Sequence, residues 1–90
     1  MVTFAILLHP KAAKELERLE DALKTRVKER LRELKDNPES IGKALKPSDF
    51  WSLRIGNYRA IFEIDHAKKH VVVLFIGHRK KIYDDFSKML

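Results

Sequence analysis

The side chains with the most chemical potential stand together near the C-terminus, in the stretch GHRKKIYDDF from Gly77 to Phe86. His78, Arg79, Lys80, Lys81 and Tyr83 combine an imidazole, a guanidinium, two ammonium groups and a phenol. Guanidinium and ammonium groups hold anions and stabilise negative charge as it develops. An imidazole or a phenol can move a proton, although a phenol works as a base only among several cations. The set suits chemistry at a phosphate. It follows VVVLFI, Val71 to Ile76, a wholly apolar run. A buried strand therefore ends in a burst of cations, and the elements before it decide which other side chains that burst meets.

Ninety residues, 44% apolar and 36% charged, are expected to form one domain over residues 1–90. A chain of this size buries one core with little stability to spare. Cysteine is absent, which excludes disulfides and thiolate metal sites. His9, His66 and His70 lack the spacing of a metal site, so no metal or other cofactor is expected. The opening MVTFAILLHP has no basic leader and no small-residue cleavage site, and reads as a strand rather than a signal peptide. No apolar stretch approaches the ~18 residues of a membrane span. A cytoplasmic protein without a membrane partner is expected.

The net charge of +6 is unevenly spread. Residues 1–39 hold nine basic and eight acidic side chains, whereas residues 40–81 hold nine basic and three acidic. The surplus lies in the second half and favours a polyanionic partner such as nucleic acid, the ribosome or an acidic protein. The plain alternative is charge kept for solubility.

VTFAILL has the composition of a strand, and Pro10 suits a first helical turn. From Lys11 to Lys35, Leu16, Leu19, Leu23, Val27, Leu31 and Leu34 recur at helical spacing. Charges of both signs fill the other positions and read as a solvated face. One helix over residues 10–36 would be ~40 Å long. A compact domain of this size has a radius of gyration of only ~12 Å. A break near Glu20–Asp21, with Asp21 as N-cap, and a helical hairpin are therefore expected. Asn37 and Pro38 end the helices, and Ile41 to Asp49 reads as a loop. FWSLRI, YRAIFEI and VVVLFI then form an antiparallel meander, joined by Gly56-Asn57 in a type II′ turn and by a longer turn from Asp65 to His70. The expected fold is α+β: an N-terminal strand, a helical hairpin on one face of a mainly antiparallel four-stranded sheet, and a short C-terminal helix.

Alternation along strands assigns the faces. Trp51, Leu53, Ile55, Phe62 and Ile64 need cover from the leucine stripe, which makes Trp51 a core residue rather than a base-stacking platform. Ser52, Arg54, Arg59 and Glu63 fall on the opposite, uncovered face. VVVLFI, apolar on both sides, is expected to be the central strand. The C-terminal cations and Tyr83 then emerge beside Arg54 and Arg59. The plain readings are an Arg59–Glu63 ion pair, a strand-end His78 and a Tyr83 ring packed under the C-terminal helix.

LRIGNYRAIFEI, followed by VVVLFIGHRKKIYDDF behind a helical hairpin, resembles the RelE/ParE superfamily of toxins from bacterial and archaeal toxin–antitoxin pairs. The tail looks like the RelE branch, whose members cut messenger RNA in the ribosomal A site. The resemblance implies a metal-free endoribonuclease in which the ribose 2′-OH attacks its own 3′-phosphate. It implies Arg59 and Arg79 for phosphate stabilisation and Tyr83 or His78 for proton transfer. Arg54, Lys46, Lys80 and Lys81 would contact RNA or ribosome. Two departures stand out: Ser52 occupies a position that is basic in the family, and the spacing from Arg79 to Tyr83 is shorter. Implied partners are a RelB-like antitoxin, the ribosome with its mRNA, and operator DNA through the antitoxin complex. The rivals are a ParE-like toxin that inhibits DNA gyrase without chemistry, and an inactive relative serving as a nucleic-acid or repressor module.

Overall fold

Residues 3–88 are described by the structure, a computed structural model; Val2, read as part of the first strand, lies outside them. Strand β1 (Ala5–Leu8) leads into helix α1 (Pro10–Glu17). His9 caps α1: its Nδ1 accepts the Lys11 N–H at 3.2 Å, and Pro10 takes the first helical position. Helix α2 (Asp21–Arg32) follows after a break at the expected place. Its N-cap is Glu20 rather than Asp21, and no side chain bonds the cap. The leucine stripe runs on past α2 through a 3-10 turn at Glu33–Lys35, which carries the buried Leu34.

Two further elements arise where Asn37 and Pro38 read as helix stops and Ile41 to Asp49 as a loop. Pro38–Ile41 forms a short helix, α3, and Lys43–Ala44 forms strand β2. Strands β3 (Trp51–Ile55), β4 (Tyr58–Asp65) and β5 (His70–His78) make the meander, and helix α4 (Arg79–Ser87) ends the described chain. The sheet has five strands in the order β1-β5-β4-β3-β2, with β1 parallel to β5 and the other pairings antiparallel. The fold class is the expected one, and the extra strand is β2. It pairs only Lys43 with Ser52 and Ala44 with Trp51, and two residues are too few to show alternation. In this order β4 takes the middle, and β5 is an inner strand bonded to β1 and β4.

The helical hairpin covers one face of the sheet. Leu16, Val27, Leu31 and Leu34 pack there on Leu53, Ile55, Ala60, Phe62, Val71, Val73 and Ile76. Trp51 and Ile64 pack at the margin of this core. Gly42 lets Phe62 reach its place: a Cβ on Gly42 would lie 2.6 Å from the Phe62 ring and 3.0 Å from the Pro38 oxygen.

The opposite face is not bare, as alternation alone implied. Ile82 and Phe86 of α4 pack on Ile61 and Phe75, with Phe50, Leu45 and Leu74 at the edges. Ser52 is buried by this cover. A β-bulge in β5 reconciles an apolar run with two different coverings. Phe62 pairs with Val73, but Ile61 pairs with Phe75, so Leu74 has no opposite number. One extra residue reverses the facing of every later side chain. Phe75 therefore turns to α4, and Ile76 and His78 turn to the helical hairpin.

Candidate functional site

The Gly56-Asn57 turn organises the site. Gly56 has φ +59°, the left-handed value that a type II′ turn needs at its first position, where glycine is favoured. A two-residue turn makes Ile55–Tyr58 the hydrogen-bonded closing pair. Arg54 and Arg59, the next pair along, are then directly opposite and of the non-hydrogen-bonded kind, whose side chains lie closest. Like charges at such a pair are destabilising. Arg59 disperses its charge into the turn: its NH1 donates to the Gly56 oxygen at 3.0 Å and to the Tyr58 oxygen at 2.9 Å. Glu63 is not its partner. Among the described residues, no carboxylate forms an ion pair with Arg54, Arg59, Arg79, Lys80 or Lys81.

Helix α4 closes onto the same turn. The Arg79 N–H donates to the Asn57 oxygen at 2.8 Å, so the first residue of α4 is tied to the hairpin tip. Ile82 lies over Gly77, the register partner of Arg59. One turn of helix from Arg79 brings Tyr83 over β3, with its hydroxyl 3.5 Å from the Ser52 Oγ, at the outer limit of hydrogen bonding. Ser52 and Arg54 are alternate residues of one strand and share a face. The phenol thus stands, 41% exposed, on the face that carries Arg54 and Arg59. Arg79, Lys80 and Lys81 place three cations in the first turn of α4, each disfavoured by the helix dipole by ~0.3–1 kcal/mol. A bound anion would relieve that cost.

His78 is not part of this cluster. The bulge turns it to the other face, where its ring meets Tyr58 edge-on at 5.5 Å. Its Nδ1 accepts the Lys80 N–H at 3.2 Å, so it caps α4 much as His9 caps α1. A ring nitrogen engaged with a backbone N–H is poorly placed to take a proton from a substrate. Lys46 is also separate. It lines a cleft with Pro47, Ser48 and Phe86, at the end of β3 away from the turn.

Two arginines of α2, read from sequence as part of a solvated face, belong to the surroundings of the site. Arg30 donates from Nε and NH2 to the Arg54 carbonyl oxygen, at 3.1 and 3.0 Å. Arg26 lays its guanidinium against Gly56, so that a Cβ there would meet its NH1 at 3.3 Å. Their only signal in the sequence is the i, i+4 spacing of two arginines off the leucine stripe. Among the described residues, no three His, Asp or Glu side chains gather as a metal site, and no helix is long and apolar enough to cross a membrane.

The family model described as the ParE toxin of a type II toxin-antitoxin system matches residues 6–83. The chain belongs to the RelE/ParE toxin superfamily. Among solved structures, the RelBE2 toxin-antitoxin complex of Mycobacterium tuberculosis is similar at 28% identity and a TM-score of 0.81, over 87% of this chain and 100% of that one. The archaeal RelE-RelB complex from Pyrococcus horikoshii gives 25% identity and a TM-score of 0.71, over 87% and 97%. The intact E. coli RelBE complex, at 24% identity and a TM-score of 0.71 over 86% and 96%, shares the fold. No curated protein matches the chain. The protein is a toxin of the type II toxin-antitoxin class, and these relatives are complexes with RelB-type antitoxins.

Proposed function

We propose that this RelE/ParE toxin is a ribosome-dependent endoribonuclease that cuts messenger RNA in the A site. The observation that carries the reading is the directly opposed Arg54–Arg59 pair on the sheet face where the exposed Tyr83 meets Ser52, with no carboxylate paired to either arginine among the described residues. Opposed arginines cost stability, and a phosphate between them would recover it.

In the proposed reaction the ribose 2′-OH attacks the adjacent phosphorus and the bond from phosphorus to the 5′ oxygen breaks. A 2′,3′-cyclic phosphate and a 5′-OH end result. Arg59 and Arg79 stabilise the charge on the phosphorane. Tyr83, on the face of Arg54 and Arg59, is the proton-transfer residue, taking the 2′-OH proton and returning it to the leaving 5′ oxygen, and Arg54, Lys80 and Lys81 hold the RNA backbone. His78 shapes the start of α4 and takes no proton. Lys46 contacts RNA or ribosome outside the reacting centre. The antitoxin is an acidic or amphipathic segment that wraps the helices and masks the basic face.

The test is end-mapping on ribosomes programmed with a defined messenger in the cytoplasmic setting this reading requires. Cuts confined to the A-site codon, with 5′-OH ends and no cleavage of free RNA, are expected. The second reading is gyrase inhibition, favoured by the family model that matches. Intact messenger together with loss of supercoiling activity at stoichiometric toxin would establish it instead.

A further inference from the structure

Beyond the turn of β3 and β4, the edge of the sheet needs an explanation of its own. Strand β2 covers β3 only at Trp51 and Ser52, so from Leu53 onward that edge has no partner strand. In a non-hydrogen-bonded pair the backbone groups point away from the partner strand. The Arg54 carbonyl therefore faces outward, and Arg30 of α2 meets it with two donors at 3.1 and 3.0 Å. The guanidinium is itself held by Glu33, which lies 2.9 Å from its NH1. All three nitrogens of Arg30 are thus committed, and a planar fork of this kind fixes orientation as well as distance. Arg26, one helical turn earlier, lies against the same hairpin at Gly56 but makes no side-chain hydrogen bond among the described residues.

We infer that Arg30 is a positioning residue: its clamp on the Arg54 carbonyl fixes the backbone from which Arg54 reaches the RNA phosphate. Surface charge alone would make Arg26 and Arg30 equivalent, since they lie on one side of the same helix. The clamp makes them different. A backbone displacement of about 1 Å near reacting groups can cost ~10²-fold in rate, so holding one strand edge has leverage on the chemistry.

The inference rests on the nuclease reading, and its test has two arms that fail separately. In A-site cleavage, Arg30→Ala is expected to lower kcat about 10-fold with KM changed less than about 2-fold. Arg26→Ala, which removes the same charge without the clamp, should leave kcat within about 2-fold. Arg30→Lys keeps the charge without the fork and should behave like Arg30→Ala. Combined with Arg54→Ala, Arg30→Ala should add nothing, because it acts through Arg54. Multiplicative losses in the double variant, or full activity of Arg30→Ala, would overturn the inference. The second arm is amide hydrogen exchange of residues 53–59, which needs no cleavage. Exchange there should quicken by about 10-fold in Arg30→Ala and not in Arg26→Ala. Unchanged exchange would refute the clamp. A wild type that leaves messenger intact would refute the nuclease reading and leave the exchange result to decide on Arg30.

Discussion

The two faces of the sheet are covered by different means. The helical hairpin lays a continuous stripe of Leu16, Val27, Leu31 and Leu34 over one face, and Phe62, Val71 and Val73 beneath it are fully buried. Helix α4 covers the other face with only Ile82 and Phe86, over Ile61 and Phe75. Where α4 begins, the apolar cover stops and Arg54, Arg59 and Tyr83 take its place. The first face holds the fold, and the second gives up part of its burial to keep charges at the surface. The difference shows how a sheet can be a rigid support on one side and a polar site on the other, with residues of the same two strands serving both.

That division can be broken at its strongest point first. Phe62→Ala removes a fully buried ring from the helical face and should cost ~3–5 kcal/mol in chemical denaturation. On the other face, Arg59→Ala and Arg79→Ala should each lower A-site cleavage by ~10²-fold, about 2.7 kcal/mol in the barrier, with little change in denaturation midpoint. Gly42→Ala drives a methyl into the Phe62 ring and should cost ~1–3 kcal/mol, again with the site intact. The smallest effect belongs to His78. Loss of its cap on α4 should cost ~1 kcal/mol of stability and change cleavage less than about 3-fold.

Much of this was legible in the sequence because periodicity survives folding. The leucine stripe, the helix break at Glu20 and the Gly56-Asn57 turn each rest on a local rule. So does the facing of Leu53, Ile55, Ala60 and Phe62. Arg54 and Arg59 could be placed on one face by the same counting. His78 is expected to emerge with the cations beside the uncovered face, but VVVLFI has no polar residue to betray the bulge at Leu74, and a single extra residue reverses the facing. The counting placed Ser52 on the correct face but left that face uncovered, because α4, nine residues rich in charge, brings only Ile82 and Phe86 to it as apolar cover. The clamp by Arg30 was invisible, since a side chain bound to a backbone carbonyl leaves no pattern in residue types. The same holds at the opposite edge, where Glu15 of α1 accepts the Ile76 N–H at 3.1 Å.

The central claim is that chemistry belongs to the face of Arg59 and Tyr83 and not to the face of His78. Single-turnover cleavage of A-site messenger by Arg59→Ala, beside His78→Ala, tests it most directly. A loss of ~10²-fold in the first and less than about 3-fold in the second is the predicted result. A His78→Ala variant that folds but cuts as poorly as Arg59→Ala would contradict it and move the reacting centre to the other side of the sheet.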